Sequence, residues 1–230
     1  MKVRVWDLPL RLCHWLLVAS VATAFVSVQI GGNAMVWHGR AGLAVVGLLA
    51  FRIVWGFVGS TPARFASFVK GPAAIRAYLR GEWRGLGHNP LGALSVLALL
   101  ALVGAQAVTG LFANDDISYQ GHLYALVGAD LSSQLTAIHK LFEPVMIALV
   151  ILHLGAIAFY VKVKKDNLTI PMITGWKDIS EPVEAPTSST GGSALAFLVA
   201  AIIAVGTAYA ASGALLPPPP PPAAVETPAF

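Results

Sequence analysis

Four of the six histidines in this chain stand in apolar surroundings: His14, His38, His139 and His153. Ionisable groups inside hydrocarbon are costly and are functional by default, and neutral imidazole is the commonest biological metal ligand. His139 and His153 lie fourteen positions apart in the nearly all-apolar stretch Ile138–Tyr160. On a helix this is close to four whole turns, so both rings share one face about 21 Å apart along the axis. A hydrocarbon core is about 30 Å thick. One helix therefore presents two imidazoles at two membrane depths, as expected if it supplies half the axial ligands of two stacked b-type haems.

The composition agrees with that setting. Of 230 residues, 57% are hydrophobic and only 11% charged, and mean hydropathy is +0.73. Soluble domains carry about 25% charged residues, so the chain reads as an all-α integral membrane protein. The net charge of +4 speaks for membrane topology rather than for nucleic acid. Cys13 is the single cysteine, and no C-x-x-C-H occurs; this excludes an intrachain disulfide and covalent c-type haem. Cys13 is expected to fill a small buried apolar position.

Five spans must position the histidines. The first runs from Leu10 to Ile30 and stops at Gly31-Gly32-Asn33. Its charge-free run from Leu12 is 19 residues long, longer than a cleaved signal's apolar region, so it reads as a retained helix. The second covers Trp37–Val58. Residues 60–90 form a basic, aromatic connector with Phe65, Phe68, Tyr78 and Trp83, expected to lie on the membrane surface. The third span is Leu91–Ala113, followed by a connector carrying Asp115, Asp116 and Asp130. The fourth is Leu135–Val161, in which Pro144 is expected to introduce a kink. A polar linker (177–193), a fifth helix (194–216) and a proline-rich tail (217–230) complete the chain.

Lys and Arg cluster in the N-terminus, the 60–90 connector and the segment after span four. Span alternation puts these three on one side. The positive-inside rule makes that side cytoplasmic, with the proline tail periplasmic in a bacterial inner membrane. The depths then match in pairs. His38 and His139 are outer; His14 and His153 are inner. Two bis-histidine sites result, each for one non-covalent haem b. Isolated membrane histidines also serve as helix–helix hydrogen-bond partners, but four in depth register need a common partner.

The basic residues beside these histidines are candidate haem-propionate partners. Arg40 and Lys140 flank the outer pair, whereas Arg52 and Arg11 are placed for the inner one. Arginine offers a bidentate fork to carboxylates. Gly42, one turn beyond His38, leaves room for a macrocycle. His122 and His88 read as loop and surface residues. Glu143 is the sole carboxylate within a span, which argues against a proton-relay transporter.

Several motifs carry a family resemblance: "RLCHW" (Arg11–Trp15), "WHGRAG" (Trp37–Gly42), "FRIVWGFVGS" (Phe51–Ser60), "TGLFANDDI" (Thr109–Ile117), "IHK" around His139 and "ILH" ending at His153. Across roughly residues 1–176 the chain resembles the bacterial cytochrome b561 family, related to the b-type cytochrome subunit of nickel hydrogenases. The resemblance implies a four-helix cytochrome b domain over 1–176 with two haems b, its ligands falling on the same four histidines. It implies electron exchange with a quinone or quinol, or with a redox partner such as a periplasmic cytochrome c or another subunit of a redox complex. The acidic connector after span three is the expected face for a basic carrier. The alternative function is a membrane anchor or assembly subunit of a larger redox complex, held through span five. A close-packing face of Gly206, Ala210 and Gly213 would serve that role.

Overall fold

The computed structural model describes residues 1–83, 87–117, 119–178 and 192–217. The chain opens with a short strand, β1 (Lys2–Arg4), then α1 (Leu8–Ile30), α2 (Met35–Val58), and two short connector helices, α3 (Phe65–Phe68) and α4 (Pro72–Leu79). It continues with α5 (Pro90–Leu111), α6 (Ala129–Lys162), α7 (Thr169–Thr174), the strand β2 (Trp176–Asp178) and α8 (Ala194–Ala211). Among the described residues, α1, α5, α6, α8 and the segment Gly32–Val58 that contains α2 are each long and apolar enough to cross a membrane. The proline tail beyond Pro217 and most of the polar linker lie outside the described residues.

Local chemistry sets the helix ends. Asp7 caps α1 by accepting from Leu10 N at 2.7 Å, and Pro9 occupies the first turn. Asn89 caps α5 in the same way, accepting from Gly92 N at 2.8 Å, with Pro90 next. Such caps satisfy amides that the helix itself leaves open. Gly31, at φ 69°, closes α1 in the left-handed region, where glycine carries no Cβ penalty. At 34 residues, α6 is about 51 Å long and outruns a bilayer core of about 30 Å. It begins six residues before the expected Leu135 and runs unbroken through Pro144.

Helices α1 and α2 form one hairpin, α5 and α6 another, and α2 touches α5 and α8. Although it carries two of the four histidines, α6 is the least packed span, with only Ser132 buried. A cleft therefore remains between α6 and the α1–α2 hairpin.

Carboxylate Asp7 closes the N-terminal end. One oxygen caps α1, while the other accepts from Trp55 Nε1 at 3.0 Å and from Ser60 Oγ. Trp55 and Ser60 are nearly inaccessible, and Arg52 is within electrostatic reach of the carboxylate. The connector folds back over this end, burying Ala63 and Phe68. Beside it β1 pairs antiparallel with β2, Val3 opposite Lys177, a two-stranded ribbon that the all-α expectation omitted. Lys177 is tied to Asp166 at 2.8 Å.

The fifth span packs along α2. A stripe of Ala200, Ala204 and Ala208 meets α2, with Ala200 fully packed away. A Cβ on Gly47 would lie 3.2 Å from both Ala204 O and Ala208 Cβ. Lipid is as apolar as a leucine side chain, so this close approach, rather than hydrophobic burial, holds the pair. Gly206 meets nothing, and Ala210 is exposed.

Replacing Asp7 with alanine strips the acceptor from three donors at once. It is expected to destabilise the protein by about 3 kcal/mol, read as a lowered Tm in detergent by circular dichroism, whereas Gly206→Leu leaves Tm unchanged. An unshifted Tm for the Asp7 variant would refute the hub.

Candidate functional site

The cleft opens into a cavity of about 450 Å³ between α1, α2, α5 and α6, within the range of small-molecule and cofactor sites. His38 and His139 both line it, with a wall that is mostly apolar. Their ring centroids are 6.0 Å apart and their planes cross at 85°. Two metal–imidazole bonds of about 2 Å each, plus two ring radii, come to about the same span.

The hydrogen bonds fix which nitrogen is free. His38 Nδ1 lies 2.8 Å from Ala24 O, and His139 Nδ1 lies 2.9 Å from Gln106 O. A carbonyl only accepts, so each ring carries its proton on Nδ1 and keeps the Nε2 lone pair. Metal-ligating histidines are held in this way, the second nitrogen donating to a backbone carbonyl. Gly110 makes the space for His139, since a Cβ there would meet His139 Cε1 at 2.8 Å. Gly42 also lines the cavity, and a Cβ there meets nothing, as expected of the open wall beside His38.

The second pair stands at the N-terminal end. His14 and His153 lie within electrostatic reach of one another across the bundle. Among the described residues His14 Nδ1 is buried without a partner. His14 meets Trp15 edge-on at 5.2 Å. Its neighbour Cys13 is buried, its thiol 3.4 Å from Leu48 O, the apolar role expected of it.

The cations divide. Lys140 lines the cavity of His38 and His139. Arg40 is not brought there; it is exposed and its guanidinium lies 5.1 Å over the Trp37 ring. Arg52 is buried and engaged with the connector, donating to Ala63 O at 3.3 Å and lying over Phe65. Arg11 donates to Ile173 O, while its Nε is buried without a partner among the described residues.

Two histidines are placed differently from expectation. His88 is no surface residue. Its ring packs between Trp6 and Phe68, at 4.5 and 4.7 Å, because the connector folds back over it. Burial, reinforced by the Arg52 charge, lowers its pKa to about 4, so it is neutral at pH 7. His122 is half-buried rather than free in its loop, with its ring beside Gly39, and burial lowers its pKa. Asp115, expected to face a carrier, is turned into its own loop, accepting from Ile117 N and Tyr119 N.

Sequence reasoning missed Ala24, Gln106, Thr109, Gly110 and Tyr119. Gln106 and Thr109 were the visible signal, two polar residues one turn apart in an otherwise apolar span. Thr109 Oγ1 lies 3.3 Å from His139 Nδ1, and Gln106 Nε2 lies 3.4 Å from His139 Nε2.

Comparison with known proteins settles the class. A family model described as prokaryotic cytochrome b561 matches residues 5–175. The chain belongs to the prokaryotic cytochrome b561 family. It is thus a multi-pass prokaryotic membrane protein, a b-type cytochrome of electron transfer. Neither a search among curated proteins nor one among solved structures gave a match. The b561 match ends before α8, so the fifth span is an addition to the family core.

A b561 cytochrome must hold haem, and the cavity wall at Gly42 offers a test. Gly42→Leu is expected to fill the cavity and lower the haem content of the purified protein, with an unchanged far-UV circular dichroism spectrum. Undiminished haem in that variant would move the site elsewhere.

Proposed function

We propose that the protein carries electrons across the membrane through two b-type haems, one between His38 and His139 and one between His14 and His153. The observation that supports this most is the outer pair: two imidazoles 6.0 Å apart, both lining an apolar cavity and both with Nδ1 committed to a backbone carbonyl. Two side chains are also the number of ligands that a porphyrin's four nitrogens leave open. When bound, each haem supplies a one-electron iron couple.

The chain's own residues hold and orient. Ala24 O and Gln106 O fix the rotation and tautomer of the outer imidazoles. Gly42 and Gly110 leave room, and the apolar wall excludes water. Lys140 is the proposed partner for an outer propionate, and Arg11 and Arg52 for inner ones. The unpartnered Arg11 Nε favours Arg11 for that role.

The side carrying the N-terminus and the two basic connectors is proposed to be cytoplasmic, which makes the His38/His139 site periplasmic. Quinone or quinol is the proposed partner on the cytoplasmic side. The residues that support this are Tyr78, whose hydroxyl bonds to that of Tyr160, and Asn89, whose Nδ2 donates to Tyr160 at 2.7 Å. Tyr160 is seven residues beyond His153, on the same α6 face. A periplasmic cytochrome c finds no support in Asp115, which is turned inward.

Single His→Ala variants test the pairing. His38 and His139 variants are expected to lose one component of the reduced-minus-oxidised spectrum, and His14 and His153 variants the other. Loss of both components in every variant, or of neither, would contradict it. Tyr78→Phe is expected to slow quinol-driven haem reduction while leaving dithionite reduction intact; equal rates with quinol would remove the site from this end.

A further inference from the structure

The fifth helix lies beyond the family match, and its contacts run the length of the bundle. At its start, a Cβ on Gly192 would sit 3.0 Å from the Trp55 ring and 3.1 Å from Ser60 N, so the chain enters α8 on the Asp7 hub. Along its middle, the alanine stripe closes on Gly47. At its end, Gly213 adopts φ 77°, and a Cβ there would lie 2.5 Å from His122 O. Glycine alone meets both demands, the left-handed backbone and the close approach.

His122 passes the contact inward. On its other side the connector lies against α2, where a Cβ on Gly39 would meet Tyr119 Oη at 2.8 Å and His122 Cε1 at 2.9 Å. Tyr119 lines the outer cavity and meets the His38 ring edge-on, centroids 6.3 Å apart at 87°. The connector is otherwise tied to α5 through Gly121 N to Ala113 O at 2.7 Å and Leu123 N to Leu111 O at 2.8 Å. The Nδ1 bond to Ala24 O holds one edge of the His38 ring, and Tyr119 meets the same ring from the connector.

We propose that α8 is a positioning strut for the outer histidine pair: anchored on the Asp7 hub, it presses the 112–128 connector onto Gly39 through the Gly213–His122 contact and so holds Tyr119 against His38. Its consequence for the haem rests on the function proposed above; the mechanical contact does not. The angle between two axial imidazole planes governs the anisotropy of a ferric low-spin haem, so the strut has a spectroscopic readout separate from activity.

The test uses the full chain with Gly213→Val, the milder Gly213→Ala in case the first fails to accumulate, and Gly206→Leu as a control on the open face of α8. Amide exchange at Gly121 and Leu123 is expected to quicken about tenfold in the Gly213 variants, as for a locally loosened segment, with α1 amides unchanged. The EPR anisotropy of the outer haem is expected to shift while that of the inner haem stays. Gly206→Leu moves neither. Unchanged exchange in a haem-loaded Gly213 variant overturns the strut. Quickened exchange with the outer EPR signal unmoved overturns its hold on His38. Quickened exchange in a protein that carries no haem upholds the mechanical contact and overturns the haem reading instead.

Discussion

An imidazole inside a membrane has two ring nitrogens, and hydrocarbon satisfies neither. That constraint organises this protein. In the outer pair each Nδ1 is spent on a backbone carbonyl, Ala24 O for His38 and Gln106 O for His139. What remains is one lone pair per ring beside a common cavity, that of His139 lying 3.4 Å from the Gln106 side-chain amide. Leaving such a nitrogen bare in an apolar space costs free energy comparable to a lost hydrogen bond or more. A metal-centred cofactor removes the cost for both rings together. The neighbouring glycines and the cleft between the hairpins leave room for such a group.

The packing forces in such a bundle are not those of a soluble core. Helix association rests on close backbone approach and on buried polar bonds. Both are present here, in different places. The N-terminal end is fastened by the Asp7 carboxylate with Leu10, Trp55 and Ser60, and the α2–α8 contact by the Gly47–alanine stripe. Together they join α1 and α8 to α2. Helix α6, the one with two histidines, has almost no burial of its own. The candidate sites therefore lie between a firmly packed wall and a loosely packed one.

The spans were legible in the sequence because they are local. A run of apolar residues declares its own length, and span direction with helical rise assigns each histidine a depth. Helix ends moved by a few residues, most at the start of α6, because its first two turns are polar and stand beyond the hydrocarbon. What was not legible depends on segments far apart in the chain. Nothing near His38 announces Ala24 O, and nothing near Asp7 announces Ser60. Arg40 looked like a neighbour of His38 by number, yet the helix turns it outward onto Trp37. His88 reads as a surface residue from its neighbours in sequence, but tertiary folding of the connector covers it, and His122 in its loop is half-buried by contact with α2. The small residues of span five were visible, but only the α2 surface decides that Ala200, Ala204 and Ala208 face inward rather than Gly206 and Ala210.

The most direct measurement is the haem b content and coordination state of the intact purified protein, by pyridine haemochrome against protein concentration together with EPR of the oxidised form. The account predicts two haems per chain, both six-coordinate and low-spin, with one signal strongly anisotropic as expected of ligand planes crossed at 85°. A single haem, or a high-spin five-coordinate signal, would contradict the paired-histidine arrangement.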